Sequence, residues 1–283
     1  MADPLTASGL CWAYNAPLLL VSKNASKNEE QLIRLDDMAH FNGNTGSHPF
    51  KVHVVGGAAS IPTTVYNSIA AAVGGASHVE RISGATRYDV AKNIALRMRN
   101  VRSDQRGGVL FANGADPDKY FDALALSAIT AKNCMPILLV QKDSVPAATT
   151  SALSQLTGTT APRFVAGGTA TVAGSVLSQL GATRWAGADR YATAAKIASE
   201  AQFSAYLSSE NVAIASKIPD ALSAGAAIGY LGGPVLVVKL GSLPSATRAW
   251  FQARPHQVHR LWPVEGPASI SNSVITAAAN ACD

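Results

Sequence analysis

The sequence has few charged residues, few cysteines and no long apolar run. Asp, Glu, Lys and Arg make up 14% of the 283 residues, against 48% hydrophobic residues, so the chain is not intrinsically disordered. No apolar run reaches the roughly 18 residues that a membrane-spanning helix needs. The start, Met-Ala-Asp-Pro-Leu, lacks the charged region that opens a signal peptide. We therefore expect a globular chain without membrane insertion and without a signal peptide of its own.

The motifs of common enzymes are also missing. The sequence contains no GxSxG, no HExxH, no phosphate-binding GxxxxGK[ST] and no dinucleotide-binding GxGxxG. Its three cysteines, Cys11, Cys134 and Cys282, form no CxxC pair and have no metal-ligand spacing, and whether any of them forms a disulfide stays open. We predict no catalytic residue, no metal site and no cofactor.

The positive charge of the chain is small and dispersed. It has 23 basic and 18 acidic residues, which gives a net charge of +5. Proteins that bind nucleic acid usually cluster their Lys and Arg, whereas these are scattered, so we expect no nucleic-acid partner. The mild bias favours acidic polymers or surfaces as partners.

One segment of the chain occurs three times. It begins with Asp-x-Leu, continues through small residues, and reaches a Pro 14 positions after the Asp and then an apolar run. The copies are Asp3–Val21, Asp122–Val140 and Asp220–Val238. This pattern predicts a small-residue helix followed by a strand. We expect the apolar runs to be central buried strands, at Leu18–Val21, Ile137–Val140 and Val235–Val238.

Strand and helix patterns alternate along the whole chain. This alternation predicts an α/β fold with mostly parallel sheets flanked by helices. The repetition divides the chain into three units, residues 1–77, 78–180 and 181–283, and the first unit carries an insertion at residues 22–49 that contains a short helix, Glu29 to His40.

A second pattern, Arg-x-x-Gly-x-x-Arg-Tyr, occurs at Arg81–Tyr88 and at Arg184–Tyr191. Together with Asp-Ala-Leu, Pro-x-Leu-Leu and the Gly pairs that follow a strand, it resembles the cell wall binding repeat type 2 family over essentially the whole chain. The resemblance implies three tandem Toprim-like repeats packed as a pseudo-threefold intramolecular trimer. It also implies noncovalent attachment of a surface protein to anionic, teichoic-acid-like polymers of Gram-positive walls, and hence a location at the cell wall.

The sequence departs from the family pattern in two places. The first repeat has no Arg-x-x-Gly-x-x-Arg-Tyr segment, because the chain starts at the Asp-x-Leu segment. The third repeat has Glu265-Gly266 where the others have Gly56-Gly57 and Gly167-Gly168. We expect these Gly pairs to allow a tight turn from strand to helix.

The candidate ligand-binding residues include the two Arg-Tyr pairs, Arg87-Tyr88 and Arg190-Tyr191. Each pair follows a Gly turn at a predicted helix start, where a guanidinium and backbone N–H groups suit phosphate or carboxylate. The alternative is that each Arg pairs with an Asp of a neighbouring repeat and each Tyr anchors that interface. Arg81 and Arg184 are further candidates.

The aspartates that begin the repeated segment complete the candidate set. Asp122 and Asp220 are expected to cap their helices, and the alternative is a polar contact with ligand at the carboxyl end of the sheet. Three carboxylates, Asp116, Asp118 and Asp122, could suggest a divalent cation, but the other repeats have no such loop, so none is predicted.

We expect a noncatalytic module that anchors a surface or secreted protein to the wall. Two alternatives stay open. One is an α/β enzyme, a hydrolase or phosphotransferase that uses the loop from Asp116 to Asp122. The other is a self-assembling surface-layer protein that has no polymer ligand.

Overall fold

The computed structural model describes residues 3–43, 50–101, 107–156 and 161–283, and for residues 41–43, 219 and 220 it describes the backbone alone. Helices and strands alternate through these residues. The described elements are α1 (Ser8–Tyr14), α2 (Glu29–Gly43), β1 (Val52–Val55), α3 (Thr63–Ala72), β2 (Val79–Ile82), α4 (Arg87–Val101), β3 (Val109–Asn113), α5 (Tyr120–Asn133), β4 (Ile137–Val140), α6 (Ala147–Leu156), β5 (Arg163–Ala166), α7 (Gly174–Leu180), β6 (Thr183–Trp185), α8 (Arg190–Phe203), β7 (Asn211–Ala215), α9 (Ile218–Tyr230), β8 (Val235–Val237), α10 (Ser245–Gln252), β9 (Arg260–Pro263) and α11 (Asn272–Ala279).

The strands form three separate sheets in which every described pairing is parallel. Their orders are β1-β2, β4-β3-β5-β6 and β8-β7-β9. Parallel neighbours need crossover connections, and helices supply them here. The predicted α/β fold with parallel sheets flanked by helices is confirmed. Among the described residues, no helix is long and apolar enough to cross a membrane.

The boundaries between the sheets come later in the chain than the boundaries between the sequence repeats. β2 pairs with β1 and β6 pairs with β5, so each of these strands closes the sheet that precedes it. The chain then crosses to the next sheet after Ile82 and after Trp185. The division into residues 1–77, 78–180 and 181–283 follows the sequence repeat and stays a prediction.

The small-residue helices of the repeated segments pack against one another. Helix α5 contacts both α1 and α9, and α1 also contacts α9. The approach of α9 to α5 depends on glycine: a Cβ added to Gly225 would lie 1.7 Å from Ser127 Oγ, and one on Gly229 would lie 2.6 Å from the carbonyl oxygen of Ala128. The Ala, Gly and Ser content of these helices is therefore a packing requirement.

Only two of the three predicted central strands are present. Ile137–Val140 forms β4 and is at most 1% exposed, and Val235–Val237 forms β8 and is at most 2% exposed. Leu18–Val21 has no regular secondary structure and is half-buried, so the prediction of a buried strand there is wrong. β4 and β8 each pair with a strand that precedes their helix, β3 or β7. The described part of the first segment has no corresponding strand.

Candidate functional site

The guanidinium groups of Arg81 and Arg184 donate hydrogen bonds to backbone carbonyl oxygens. Arg81 Nη1 donates a hydrogen bond to the carbonyl oxygen of Gly56 at 2.7 Å, and its guanidinium carbon lies 4.8 Å from the centre of the Tyr66 ring. Arg184 donates from Nη1 to the carbonyl oxygen of Gly167 and from Nη2 to that of Val172, the latter at 2.8 Å. Burial lowers the pKa of Arg184. Both arginines therefore secure the turn that follows a strand of their own sheet.

The aspartates of the first two segments point toward the same turns. Gly56 and Gly167 have φ values of +118° and +99°, which side chains with a Cβ rarely adopt. A Cβ on Gly56 would lie 2.9 Å from Asp3 Oδ2, and one on Gly167 would lie 2.4 Å from Asp122 Oδ2. Asp3 Oδ2 also accepts a hydrogen bond from Ser60 Oγ at 2.7 Å. The glycines are thus required both for the backbone turn and for the approach of a carboxylate.

Asp122 does not cap its helix. It is the third residue of α5, and the capping position is occupied by Lys119, which makes no side-chain capping hydrogen bond. The interpretation of Asp122 as a helix cap is therefore wrong. The side chain is 6% exposed, and burial raises its pKa to about 6, an effect that nearby Lys119 and Arg190 partly oppose. The side chain of Asp220 lies outside the described residues.

Arg87 begins helix α4, as its position in the motif predicts. Its Nη1 donates to the carbonyl oxygen of Gly114 at 2.6 Å and to the hydroxyl oxygen of Tyr120 at 2.8 Å. Burial raises the pKa of Tyr120, Arg87 opposes this effect, and Tyr88 and Asp3 add to it. The described hydrogen bonds of Arg87 thus go to residues of its own unit, and pairing of the Arg with an aspartate of a neighbouring repeat stays a prediction.

Arg190 also begins a helix, but its guanidinium faces solvent. Asp189 caps α8, because its side chain accepts a hydrogen bond from the backbone N–H of Ala192 at 2.8 Å. The guanidinium carbon of Arg190 lies 4.6 Å from the centre of the Phe121 ring of the preceding segment. Within the described part of the chain, this guanidinium hydrogen-bonds to no other residue. Its donors are therefore not used by the described residues and can bind a ligand.

Lys239 contacts Tyr191, the residue that follows Arg190 in the chain. Its Nζ lies 5.4 Å from the centre of the half-buried Tyr191 ring, and the lysine itself is exposed. Cation–π contacts of this kind position a cation without using its hydrogen-bond donors. We call Arg190 and Lys239, with the rings of Phe121 and Tyr191, the cationic site. Lys239 and Phe121 were not predicted, although Lys239 directly follows an apolar run, where a parallel strand ends.

The third sheet replaces the Gly pair with a carboxylate. Glu265 accepts hydrogen bonds from the backbone N–H of Ser216 at 2.6 Å and of Lys217 at 2.7 Å, and also from Ser216 Oγ. These contacts secure the loop between β7 and α9. The third turn is thus held by a glutamate side chain at the position where the other two sheets have glycine.

The carboxylates of the acidic loop before α5 contact the backbone of the loop or point into the interior. Asp116 accepts a hydrogen bond from the backbone N–H of Asp118 at 2.9 Å, and Asp122 points to Gly167 in the interior. In the ranges that the structure describes, no group of three His, Cys, Asp or Glu residues is placed to hold a metal ion.

Comparison with known proteins identifies the family to which this chain belongs. The model of the family described as cell wall binding domain 2 matches residues 81–177 and 184–275, which are most of the chain. The chain therefore belongs to the cell wall binding domain 2 family, whose members associate with the wall at the bacterial surface. The first match begins at Arg81 and the second at Arg184, the arginines that open the Arg-x-x-Gly-x-x-Arg-Tyr motif.

Two proteins of Bacillus subtilis (strain 168) share part of this sequence. N-acetylmuramoyl-L-alanine amidase LytC is 32% identical over 199 residues, which are 69% of this chain and 35% of LytC. The amidase enhancer is 35% identical over 103 residues, which are 36% of this chain and 13% of the enhancer. The match thus spans about a third of LytC and a smaller part of the enhancer.

Two solved structures share the fold. Cwp6 from Clostridium difficile superimposes with a TM-score of 0.83 and 24% identity, covering 100% of this chain and 42% of Cwp6. Cwp8 from the same organism gives a TM-score of 0.78 with 20% identity, covering 99% of this chain and 45% of Cwp8. The fold of this chain is therefore shared with Cwp6 and Cwp8.

Proposed function

We propose that this chain is a noncatalytic module that anchors a surface or secreted protein by binding anionic, teichoic-acid-like polymers of the Gram-positive wall. Membership of the cell wall binding domain 2 family supports attachment to the wall. The single observation that carries the choice of an anionic ligand is the cationic site. Arg190 and Lys239 both face solvent there, and the rings of Phe121 and Tyr191 hold them in place.

We also propose that the three segments form an intramolecular trimer of Toprim-like repeats. The mutual contacts of α1, α5 and α9 support this arrangement. In it, the arginine of the Arg-Tyr pair of one unit acts on the aspartate of the unit before it, as Arg190 lowers the pKa of Asp122 against the effect of burial. The polymer sites then lie between repeats, and several weak contacts along one polymer add to a strong attachment.

The repeats are not equivalent in this proposal. Arg87, the counterpart of Arg190, is half-buried and donates to Gly114 and Tyr120, whereas the guanidinium of Arg190 is exposed. Donors that are already used inside the protein contribute less to a ligand than free ones. The interface between the second and third segments is therefore the stronger polymer site.

The test is sedimentation of the chain with purified Bacillus subtilis walls, using the double variant Arg190→Ala with Lys239→Ala. Each lost charge-assisted hydrogen bond costs about 1.5 kcal/mol or more, so affinity for walls should fall at least about tenfold. The matched control is Arg34→Ala with Lys196→Ala. It removes the same charge from two cations that pair with Glu30 and Glu200 on their own helices, and it should bind walls normally.

Two further measurements address the chemistry of the ligand. Binding should weaken as NaCl is raised, because salt screens exposed charges, and it should be lost on walls from which phosphate polymers have been extracted. Equal binding by the site variant and the control variant, or full retention on extracted walls, would contradict an anionic polymer held at the cationic site.

A further inference from the structure

A second cavity, which we call the polar cavity, lies at the opposite end of two helices from the cationic site. Its volume is about 700 Å³, within the range of about 300–1,000 Å³ that is usual for small-molecule sites. Helix α5 has Phe121 in its first turn and Lys132 in its last, and helix α8 runs from Arg190 to a last turn that contains Gln202. Lys132 and Gln202 line the cavity. Both helices have 14 residues and are therefore about 21 Å long, so the cavity is distant from the cationic site.

A network of side chains fixes one wall of the polar cavity. Ser209 is 6% exposed, and its Oγ donates to Gln257 Oε1 at 3.2 Å and accepts from Gln202 Nε2 at 3.2 Å. Gln202 Oε1 in turn accepts from Arg254 Nε, and Arg254 Nη1 donates to the carbonyl oxygen of Trp250. The network joins α8, α10 and the loops that precede β7 and β9. Side chains that are held before a ligand arrives lose little freedom when it binds.

Gln257 offers hydrogen-bond donors to a ligand. Its Oε1 is the acceptor in this network, which leaves the two N–H groups of Nε2. No hydrogen bond of the described residues uses these N–H groups, and Gln257 is exposed at the cavity. Ser208 and His259 are exposed there as well. The fixed wall therefore presents neutral donors and acceptors to the cavity.

The charged side chains of the lining balance each other. Lys132 and Glu210 both line the cavity and both are exposed, and their charges are opposite. The guanidinium of Arg254 is directed into the network, with Nε on Gln202 and Nη1 on the carbonyl oxygen of Trp250. A cleft that attracts a charged ligand presents one sign of charge, as the cationic site does. The polar cavity is therefore suited to an uncharged ligand.

Apolar side chains line the polar cavity beside these neutral groups. Tyr206 is half-buried, and its ring meets Phe164 edge-on with 6.2 Å between the ring centres. Asn133 Nδ2 donates to the carbonyl oxygen of Tyr206 at 2.9 Å, which holds this residue in place. Leu231 also lines the cavity and is 41% exposed. A sugar ring has C–H groups on its faces and hydroxyl groups at its edge, so the combination of apolar surface and neutral donors matches a sugar.

Two strained turns contribute to the rim of the cavity. Ala205 and His256 line it with φ values of +55° and +57°, a conformation that glycine adopts at lower cost. Of the described residues other than glycine, four have a positive φ, and two of the four are here. Strain of this kind persists where the surrounding structure maintains it, and it clusters at functional sites. His256 is exposed and thus places an imidazole at the rim where glycine would cost less.

We propose that the polar cavity binds an uncharged oligosaccharide. A face of a sugar ring packs against Tyr206 and Leu231, and hydroxyl or acetamido oxygens accept hydrogen bonds from Gln257 Nε2. Gln202 and Ser209 are positioning residues, because they hold the Gln257 amide by its oxygen. This binding is separate from the attachment to anionic polymers at the cationic site.

The test is titration of the isotope-labelled chain with two uncharged trisaccharides, triacetylchitotriose and cellotriose, followed by NMR at pH 7. At least one of them should give saturable shifts of the backbone amides of Ser208, Ser209 and Gln257. The amides of Phe121 and Arg190 should not shift, because they lie at the other ends of α5 and α8. Chitotriose, which carries amines, and trigalacturonate, which carries carboxylates, should bind at least about tenfold more weakly, since the lining has no excess of opposite charge.

Two variants with matched controls locate the bound sugar. Ser208→Trp fills the cavity and should abolish the shifts, whereas Ser178→Trp, at an exposed serine of α7, should bind as the parent does. Gln257→Ala removes the proposed donors and should weaken binding at least about threefold, whereas Gln179→Ala, also exposed on α7, should not. Circular dichroism checks that all four variants fold, and Gln257→Ala decides the question if Ser208→Trp does not fold.

The proposal is overturned if neither uncharged trisaccharide gives saturable shifts, or if Gln257→Ala binds them as tightly as the parent does. It is also overturned if a charged trisaccharide binds more tightly than the uncharged ones. Shifts of the same amides by an uncharged peptide, acetyl-trialanine amide, at lower concentrations than either sugar requires would assign the cavity to a different class of ligand.

The double variant Arg190→Ala with Lys239→Ala distinguishes this inference from the proposed function. It should bind the sugar as the parent does, because its substitutions lie at the cationic site. If this variant loses wall binding while the parent binds no sugar, only the sugar site is overturned. If it sediments with walls as the parent does while sugar binding is observed, only the anionic-polymer site is overturned.

Discussion

Replacing the buried carboxyl of Asp122 by an amide tests how this aspartate is held. The side chain is 6% exposed, and its pKa rises from 3.8 to about 6. Each tenfold difference in proton affinity is worth about 1.4 kcal/mol, so the ionised form costs the folded state about 3 kcal/mol. Because the pKa is raised in the folded state, the neutral carboxyl group contributes stability. This contribution is fully present below about pH 4 and is lost as the pH rises through about 6.

Asp122→Asn keeps the shape of the side chain and removes its ionisation. The free energy of unfolding of the variant minus that of the parent should therefore rise by about 2.5 kcal/mol between pH 4 and pH 8. The measurement is urea unfolding followed by circular dichroism at closely spaced pH values. The matched control is Asp116→Asn in the loop before α5, where an amide oxygen can still accept the hydrogen bond from the N–H of Asp118. Its difference from the parent should stay small throughout.

A difference between Asp122→Asn and the parent that is constant from pH 4 to pH 8 would refute the reasoning. A difference that falls with pH would do so more strongly, because it would mean that Arg190 and Lys119 stabilise the carboxylate by more than burial costs. Either result would require an ion pair at Asp122 in place of a buried and weakly compensated carboxyl group.

The remaining predictions concern close backbone approaches. Gly167→Ala should destabilise the chain by more than about 1 kcal/mol, because φ is +99° and the new Cβ would meet the Asp122 carboxylate; Gly168→Ala, with no atom within 4 Å of the new Cβ, is the control. Gly225→Leu should cost at least about 2 kcal/mol, because it forces α9 away from Ser127 on α5. Chemical unfolding measures both, and a loss no greater than that of Gly168→Ala would contradict either one.

Much of the fold follows from the local pattern of the sequence. The alternation of apolar runs and small-residue helices predicts parallel sheets flanked by helices, and the structure confirms them. Arg87 and Arg190 begin helices, as predicted from the Gly turn before them. The helix predicted from Glu29 to His40 is also present, as part of α2. These features depend on residues that are neighbours in the chain, and a sequence motif can therefore predict them.

The site was only partly predictable, because its partners come from distant parts of the chain. Arg81 and Arg184 look like ligand-binding cations in the motif, but their donors are used by carbonyl oxygens of Gly56 and Gly167. Lys239 contributes to the cationic site through Tyr191, a contact that joins residues 48 positions apart. A repeated motif does not distinguish an arginine that faces solvent from one that faces a carbonyl group.

The repeated Asp-x-Leu segment shows the division between sequence and tertiary structure most clearly. The sequence by itself determined the three copies, their helices and the apolar runs that follow them. Only the tertiary structure decided that Ile137–Val140 and Val235–Val237 become strands while Leu18–Val21 does not. The physical reason is that a strand is stabilised by hydrogen bonds to its neighbour, and the first copy has no β3 or β7 beside it among the described residues.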